Sequence, residues 1–464
     1  MKNIYYEVQT LDQRCYKSYG LSEDILMENA ATALAKTIKR LASKNAKVVF
    51  VCGSGNNGAD GMAAARMLEG LFDVHVYNAN EPKSPLAKVQ FQRAKALHVR
   101  FDNALIDADI YVDCLFGSGL KRDLSEDMCH LIEMLNEKEA KKIACDIPSG
   151  IWSHGDVKQG AFKADITVCM GALKSCLYSD NAKDFVGKII VADLGISSKN
   201  YEIQSDMFLL QKKDLCLPHR NQKNTHKGNF GHLHIIVGEK EGAGILAGEA
   251  AFHFGAGLVS VVSEESVASL PPYIMYAKKL DLNAKTIAIG MGLGAIDDAT
   301  LESYLSLDAR FVVDADLFYK PSIKQLLNTK KEIVLTPHPK EFCAFLALLG
   351  LANISVAQLQ TNRLHWVRVF AKVYPDIVLV LKGANTIITH NEKFYINPLG
   401  SAKLAKGGSG DVLSGMIGAL LAQGYSCLHA ATNASIAHAL ASNQVKGADF
   451  SLTPVDICKE LRWL

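Results

Sequence analysis

Short apolar runs alternate with longer amphipathic stretches through the first half of the chain. Residues 47–52, 74–77, 110–113, 143–146 and 166–170 are compact and rich in Val and Ile, the pattern of strands buried on both faces. Residues 60–71, 84–97 and 125–139 carry helical spacing between them. Strand and helix in alternation predict a parallel sheet covered on both sides. The rhythm pauses near 195–230, a polar stretch containing Pro218. It then restarts with strands at 233–238, 258–262, 286–289, 311–313, 333–335, 377–381 and 394–397, and helices at 243–254 and 412–423. Two α/β domains follow, 1–210 and 211–464, with the boundary placed to within ten residues. No short repeat of fixed period is present, so a solenoid is excluded.

Composition narrows the class without naming a function. Hydrophobic residues make up 49% of the 464 and charged residues 21%, a balance that buries large cores and excludes general disorder. The formal net charge of +2 gives no electrostatic case for nucleic acid or an anionic membrane as partner. Eleven scattered cysteines, none in a C-x-x-C pair, read as reduced thiols of a cytoplasmic chain. No apolar run approaches the ~18 residues needed to span a bilayer.

Candidate chemistry sits where predicted strands end. Gly53-Ser54-Gly55-Asn56-Asn57-Gly58-Ala59-Asp60-Gly61 follows the first strand and opens a helix, where glycines allow close backbone approach and the helix N-terminus attracts anions. It is neither a Walker loop nor G-x-G-x-x-G, and it also fits a capped turn. Asp113 precedes Leu115-Phe116-Gly117-Ser118-Gly119, and Asp146 opens Asp146-Ile147-Pro148-Ser149-Gly150. Such carboxylates and hydroxyls could form an oxygen cage for a hard cation, or could cap their loops. In an open α/β sheet, three polar strand ends point to one crevice.

In the second half, Gly407-Gly408-Ser409-Gly410-Asp411 precedes an apolar helix. Free N–H groups there can hold a transferring phosphoryl group, and Asp411 is placed to accept a proton from an attacking hydroxyl. Lys382-Gly383-Ala384-Asn385-Thr386 follows a strand and suits either a nucleotide or an ordinary turn. His338 stands between Pro337 and Pro339, as a ligand or as a helix cap; Asp314-Ala315-Asp316 organises a metal, solvent or merely a loop.

GNNGADG, VDCLFGSG and DIPSG, in that order, resemble the NAD(P)H-hydrate epimerase domain, the YjeF N-terminal family. KGNFG, FGAGLV, GMGLG, DAD, TPHPKE, KGANT and GGSGDVLSG resemble the ADP/ATP-dependent NAD(P)H-hydrate dehydratases. The resemblance implies a Rossmann-like three-layer domain followed by a ribokinase-like one, joined in a bifunctional repair enzyme. It implies that Asn56, Asn57, Gly58, Ala59, Asp60, Gly117, Ser118, Gly119, Leu120, Lys121, Arg122, Asp123 and Asp146 contact the hydrated dinucleotide in the first domain, with Asp146 at the reacting centre. It implies potassium on Asn57, Asp113 and Ser149. For the second domain it implies hydrated NAD(P)H at Ala243, Gly292 or Gly294, His338 and Asp411. The adenine nucleotide, ADP or ATP, would lie at Lys382–Thr386 and Gly410, with magnesium for phosphoryl transfer. It further implies an assembly of like chains.

Ala59 stands where the family usually has glycine, Met291 where it prefers proline, and Lys340 where glycine is common. A ribokinase-type kinase with a regulatory first domain and a nucleotide-sensing scaffold are the competing readings. The first predicts a stable phosphorylated product, the second binding without turnover.

Overall fold

The structure, a computed structural model, describes residues 1–120, 122–267, 269–329 and 332–464. The chain divides into two compact units, Asn3–Ser205 and Asp206–Leu464 with Met1–Lys2.

In the first unit seven parallel strands lie in the order Arg100–Asp102, Asp73–Asn78, Lys47–Cys52, Ile110–Cys114, Lys141–Cys145, Ile166–Met170, Lys188–Ala192. The chain starts this sheet in the middle, builds outward to one edge, then returns to build the other. That is the doubly wound Rossmann-like order, and its switch point lies between Lys47–Cys52 and Ile110–Cys114. The strands are unbroken apolar runs because helices cover both faces. Serines set the helix starts: Ser22, Ser84 and Ser125 each accept a backbone N–H of the first turn, and Pro85 occupies a position where no amide hydrogen is needed. A two-residue strand, Leu173–Lys174, pairs in parallel with Lys2–Tyr5.

In the second unit the strands run Met275–Ala277, Leu258–Val262, His232–Ile236, Thr286–Ile289, Arg310–Val313, Ile333–Leu335, Val378–Leu381, Thr386–His390, Lys393–Asn397, Met207–Leu209. Pairing is parallel as far as Val378–Leu381; the next two pairings are antiparallel. The helices Glu241–His253, Ser409–Ala422 and Cys427–Gln444 bury small and aliphatic side chains against the sheet. Ser409–Ala422 is apolar all round because it lies inside this core.

Several elements differ from the sequence expectation. Residues 9–41 form two helices, Gln9–Tyr19 and Glu23–Leu41, and Lys188–Ala192 adds an edge strand. Asp146 lies outside its strand, in a left-handed conformation with φ 70°. The apolar helix begins at Ser409, so Asp411 belongs to its first turn.

Two candidate functional sites

At the switch point of the first sheet, Gly53-Ser54-Gly55 turns into the helix Asn56–Leu68. The glycines make the turn possible: a Cβ on Gly58 would stand 2.0 Å from the Gly53 oxygen. Ala59 is fully buried in the core. Asn56 is exposed, with its amide bonded to Glu23 at 2.7 Å. Asp60 is half-buried, and burial, reinforced by Asp146 and Asp12, pushes its carboxyl well above the usual range.

Asp113 and Ser149 are brought together under this turn. Asp113 is fully buried and accepts from the Ser149 N–H (2.7 Å), the Ser149 hydroxyl (2.7 Å) and the Leu115 N–H (3.1 Å). Burial raises its carboxyl to about 6 against the opposing pull of those bonds. The Ser149 oxygen also accepts from the Phe116 N–H at 2.9 Å. Asn57 abuts the neighbouring Gly117, and its Nδ2 is buried without a hydrogen-bond partner. Turned over, that amide would offer a buried oxygen with no other partner, and an amide, a carboxylate and a hydroxyl are donors of the kind a hard cation takes.

Asp146 is held through both of its oxygens. Its Oδ1 accepts from the Lys174 ammonium at 2.5 Å and from the Met170 N–H at 3.1 Å; its Oδ2 accepts from the Ser118 N–H at 3.3 Å. Lys174 is 1% exposed. Burial pulls its ammonium down, but the Asp146 carboxylate, with Cys169 and Cys176 adding to it, leaves it above the ordinary lysine value. Sequence reasoning missed Lys174; the signal was a lone cation inside the apolar stretch 166–178. Of the second loop, Gly117 and Ser118 adjoin Asp146, and Gly119 faces open space. The Leu120 side chain packs into the core. Arg122 and Asp123 are exposed, and Lys121 lies outside the described residues. A cavity of about 300 Å³ opens here, lined by Ser118, Ile147 and Lys174 on one side and by Tyr6, Gln9 and Gln13 of the N-terminal segment on another.

The second site gathers at the carboxyl ends of three adjacent strands. Asp314 follows Arg310–Val313, His338 follows Ile333–Leu335, and Lys382 follows Val378–Leu381. Lys382 Nζ donates to Asp314 Oδ1 at 2.7 Å and lies 3.9 Å from Glu341. The other Asp314 oxygen accepts from the Ser414 hydroxyl at 2.6 Å, tying the helix Ser409–Ala422 to the sheet. Burial would lower the Lys382 ammonium, yet Asp314 and Glu341 raise it. Asp411 is half-buried; burial, with Asp314 adding and Lys382 opposing, lifts its carboxyl to about 7. Gly410 sits directly over Lys382: a Cβ there would stand 3.2 Å from Nζ.

His338 does cap the helix Pro339–Leu348. Its Nδ1 accepts the N–H groups of Lys340 and Glu341, which places the ring proton on Nε2, 3.1 Å from Glu341 Oε1. Glu341 is buried and raised to about 7, first by burial. Gly292 and Gly294 occupy left-handed turns, with the Gly294 N–H bonded to Asp316; Ala243 stands in the first turn of Glu241–His253. The segment 382–386 is a hairpin turn in which Gly383 and Ala384 are exposed and Asn385 is buried. Arg363, also missed from sequence, donates to the carbonyls of Leu381, Lys382 and Asn385 and so sets that turn's shape.

Two family models match the chain: the YjeF-related protein N-terminus over residues 23–176 and NAD(P)H-hydrate dehydratase over 233–462. Bifunctional NAD(P)H-hydrate repair enzymes are similar along their whole length. That of Helicobacter pylori is 46% identical with 100% of both chains covered. That of Coxiella burnetii is 33% identical over 99% of this chain and 98% of its own; that of Escherichia coli K12 is 32% identical over 91% and 85%. The chain belongs to the bifunctional NAD(P)H-hydrate repair family.

Proposed function

We propose that the chain repairs hydrated NADH and NADPH in two steps, one in each unit. The first unit interconverts the R and S epimers of the hydrate. The second uses ADP, releasing AMP and phosphate, to turn the hydroxyl of the S form into a phosphate ester. Phosphate leaves far more readily than hydroxide, and elimination restores the reduced coenzyme.

The observation that carries this reading is Asp411, held near neutrality at the open end of a glycine-led helix. A carboxylate of that affinity takes a proton from a hydroxyl at physiological pH, while free N–H groups of the helix start face the transferring phosphoryl group. Ala243, the 292–294 turn and His338 would then hold the dinucleotide, and the Lys382–Thr386 turn with Gly410 the adenine nucleotide. A small-molecule kinase releasing a stable phosphorylated product is not favoured, because the full-length relatives are repair enzymes.

Asn57, Asp113 and Ser149 would hold potassium, which supplies a fixed positive charge beside the crevice and anchors its loops. Among the described residues no group of three or more His, Cys, Asp or Glu is arranged to hold a metal. Asp314 and Glu341 are engaged with Lys382. In this reading magnesium therefore arrives on the nucleotide's phosphates and neutralises their charge. Among the described residues no helix is long and apolar enough to cross a membrane.

The test is recovery of reduced-nicotinamide absorbance when the purified chain meets mixed hydrate epimers and ADP or ATP. Complete conversion is expected. Failure with both nucleotides ends the reading.

A further inference from the structure

The surroundings of Asp146 speak to how the epimers interconvert, an inference that rests on the epimerase reading of the first unit. Two routes invert a ring carbon that bears a hydroxyl next to a ring nitrogen. In one, an acid protonates the hydroxyl, water departs, the nitrogen lone pair forms a C=N bond, and water adds to the other face. In the other, a base takes the hydroxyl proton, and a C=O bond forms as the carbon–nitrogen bond breaks. The nitrogen then takes the proton back. Rotation of the freed aldehyde and reclosure give the opposite epimer. Atoms, electrons and protons balance in both, but the first exchanges the oxygen with solvent and the second keeps it.

The geometry of Asp146 selects between them. Every group bonded to its carboxylate is a donor: an ammonium at 2.5 Å and two backbone N–H groups at 3.1 and 3.3 Å. A carboxylic acid would set its own proton against these donors. Lys174 cannot turn to serve the substrate directly. Its three N–H bonds are directed to Asp146 Oδ1, the Met170 carbonyl (3.0 Å) and Cys169 Sγ (3.5 Å), and almost none of it is exposed. The ammonium acts through Asp146, as a positioning residue. The bonding partners of Asp146, Ser118 and Lys174, and Ile147 next to it in the chain, line a cavity of about 300 Å³ that lies beside the carboxylate.

We propose that Lys174 fixes Asp146 as a carboxylate base and that epimerisation proceeds by opening and reclosing the hydrated ring, with the carbinol oxygen retained. One group nearby could serve the competing route. Asp60, electrostatically coupled to Asp146 and pushed toward its protonated form by burial, could deliver the proton that water loss requires.

The experiment uses the full chain, pure R epimer of hydrated NADH and H₂¹⁸O, without nucleotide, stopped before spontaneous epimerisation contributes. Mass analysis of the S product is expected to show label no higher than the enzyme-free control. One ¹⁸O gained per turnover would overturn the proposal in favour of water loss. No R-to-S conversion at all would instead remove the epimerase reading on which it stands. Variants give an independent arm, with nucleotide-dependent dehydration of the S form reporting that the chain is folded. Lys174→Met should lower the epimerisation kcat by about 10²-fold with KM within about threefold, and Lys174→Arg should recover part of that loss. Wild-type kcat in Lys174→Met would exclude the positioning role.

Discussion

Each unit buries one lysine against one aspartate at the carboxyl end of its sheet, and the two pairs are wired differently. In the first, Lys174 touches Asp146, the carboxylate proposed to meet the substrate, at 2.5 Å. In the second, Lys382 touches Asp314 at 2.7 Å, while Asp411 stands apart and rises to about 7. A cation in contact holds a carboxylate as a carboxylate; a cation one residue removed only moderates how far burial lifts it. The same residue pair thus orients the proposed base in one place and stands beside a group of near-neutral affinity in the other. The second is suited to taking a proton from an alcohol and later giving it up.

Removing the two carboxylates tests this division with the largest expected effect. Asp411→Asn should lower nucleotide-dependent dehydration by about 10³-fold and leave epimer exchange intact. Asp146→Asn should do the reverse, leaving S-form repair and slowing the R form to its spontaneous rate. The two assays are absorbance recovery from each purified epimer. Loss of both activities in either variant would show that the units do not act separately.

Next in size is the cost of stranding a buried charge. Lys382→Met leaves Asp314, 2% exposed at its side chain, without its cation. Breaking such a pair costs about 3–5 kcal/mol, readable as a fall in denaturant midpoint. Ser414 still donates to Asp314, so the lower end of that range is expected. A change below about 1 kcal/mol would mean that water replaces the ammonium and that the pair is not a dry one.

The pH profile comes third. Asp411 works deprotonated, so the dehydration rate should climb about tenfold per unit below the limb near 7 and level off above it. Lys382 lowers the Asp411 affinity, so its removal should move the limb to higher pH. A limb unmoved in Lys382→Met would remove that coupling from the account.

Much of this arrangement was legible before folding. Apolar strands ending in Gly, Asp and Ser marked both crevices, because a parallel sheet must end in loops and loops carry chemistry. What sequence did not reveal were the partners that arrive from elsewhere in the chain. Lys174 reaches Asp146 from 28 residues away, and Ser414 reaches Asp314 from 100. Neither spacing leaves a periodic trace. Leu120 and Ala59 both lie inside motifs, and their side chains turn inward to the core. A motif position states where the backbone is, and packing decides where the side chain points.

The smallest expected effect sharpens the comparison most finely, because it adds one methyl group beside each pair. A Cβ on Gly117 would meet Asp146 Oδ2 at 3.0 Å and Asn57 Oδ1 at 3.1 Å, and the Asp146 carboxylate is tied through its other oxygen to Lys174 and the Met170 N–H. A Cβ on Gly410 would meet only the Lys382 tip, at 3.2 Å, with its next neighbour at 3.9 Å. The first contact has little room to relax; the second needs a few tenths of an ångström from the end of a long side chain. Gly117→Ala should therefore lower epimerisation kcat by about tenfold, well short of the hundredfold that follows a full ångström of misplacement. Gly410→Ala should change dehydration by no more than about threefold, since extra methyl groups are tolerated where a neighbour can yield. Kinetics of both variants on both epimers decide it. If the order is inverted, Lys382 is the more tightly fixed of the two lysines, and the contrast between a locked and a moderated carboxylate fails.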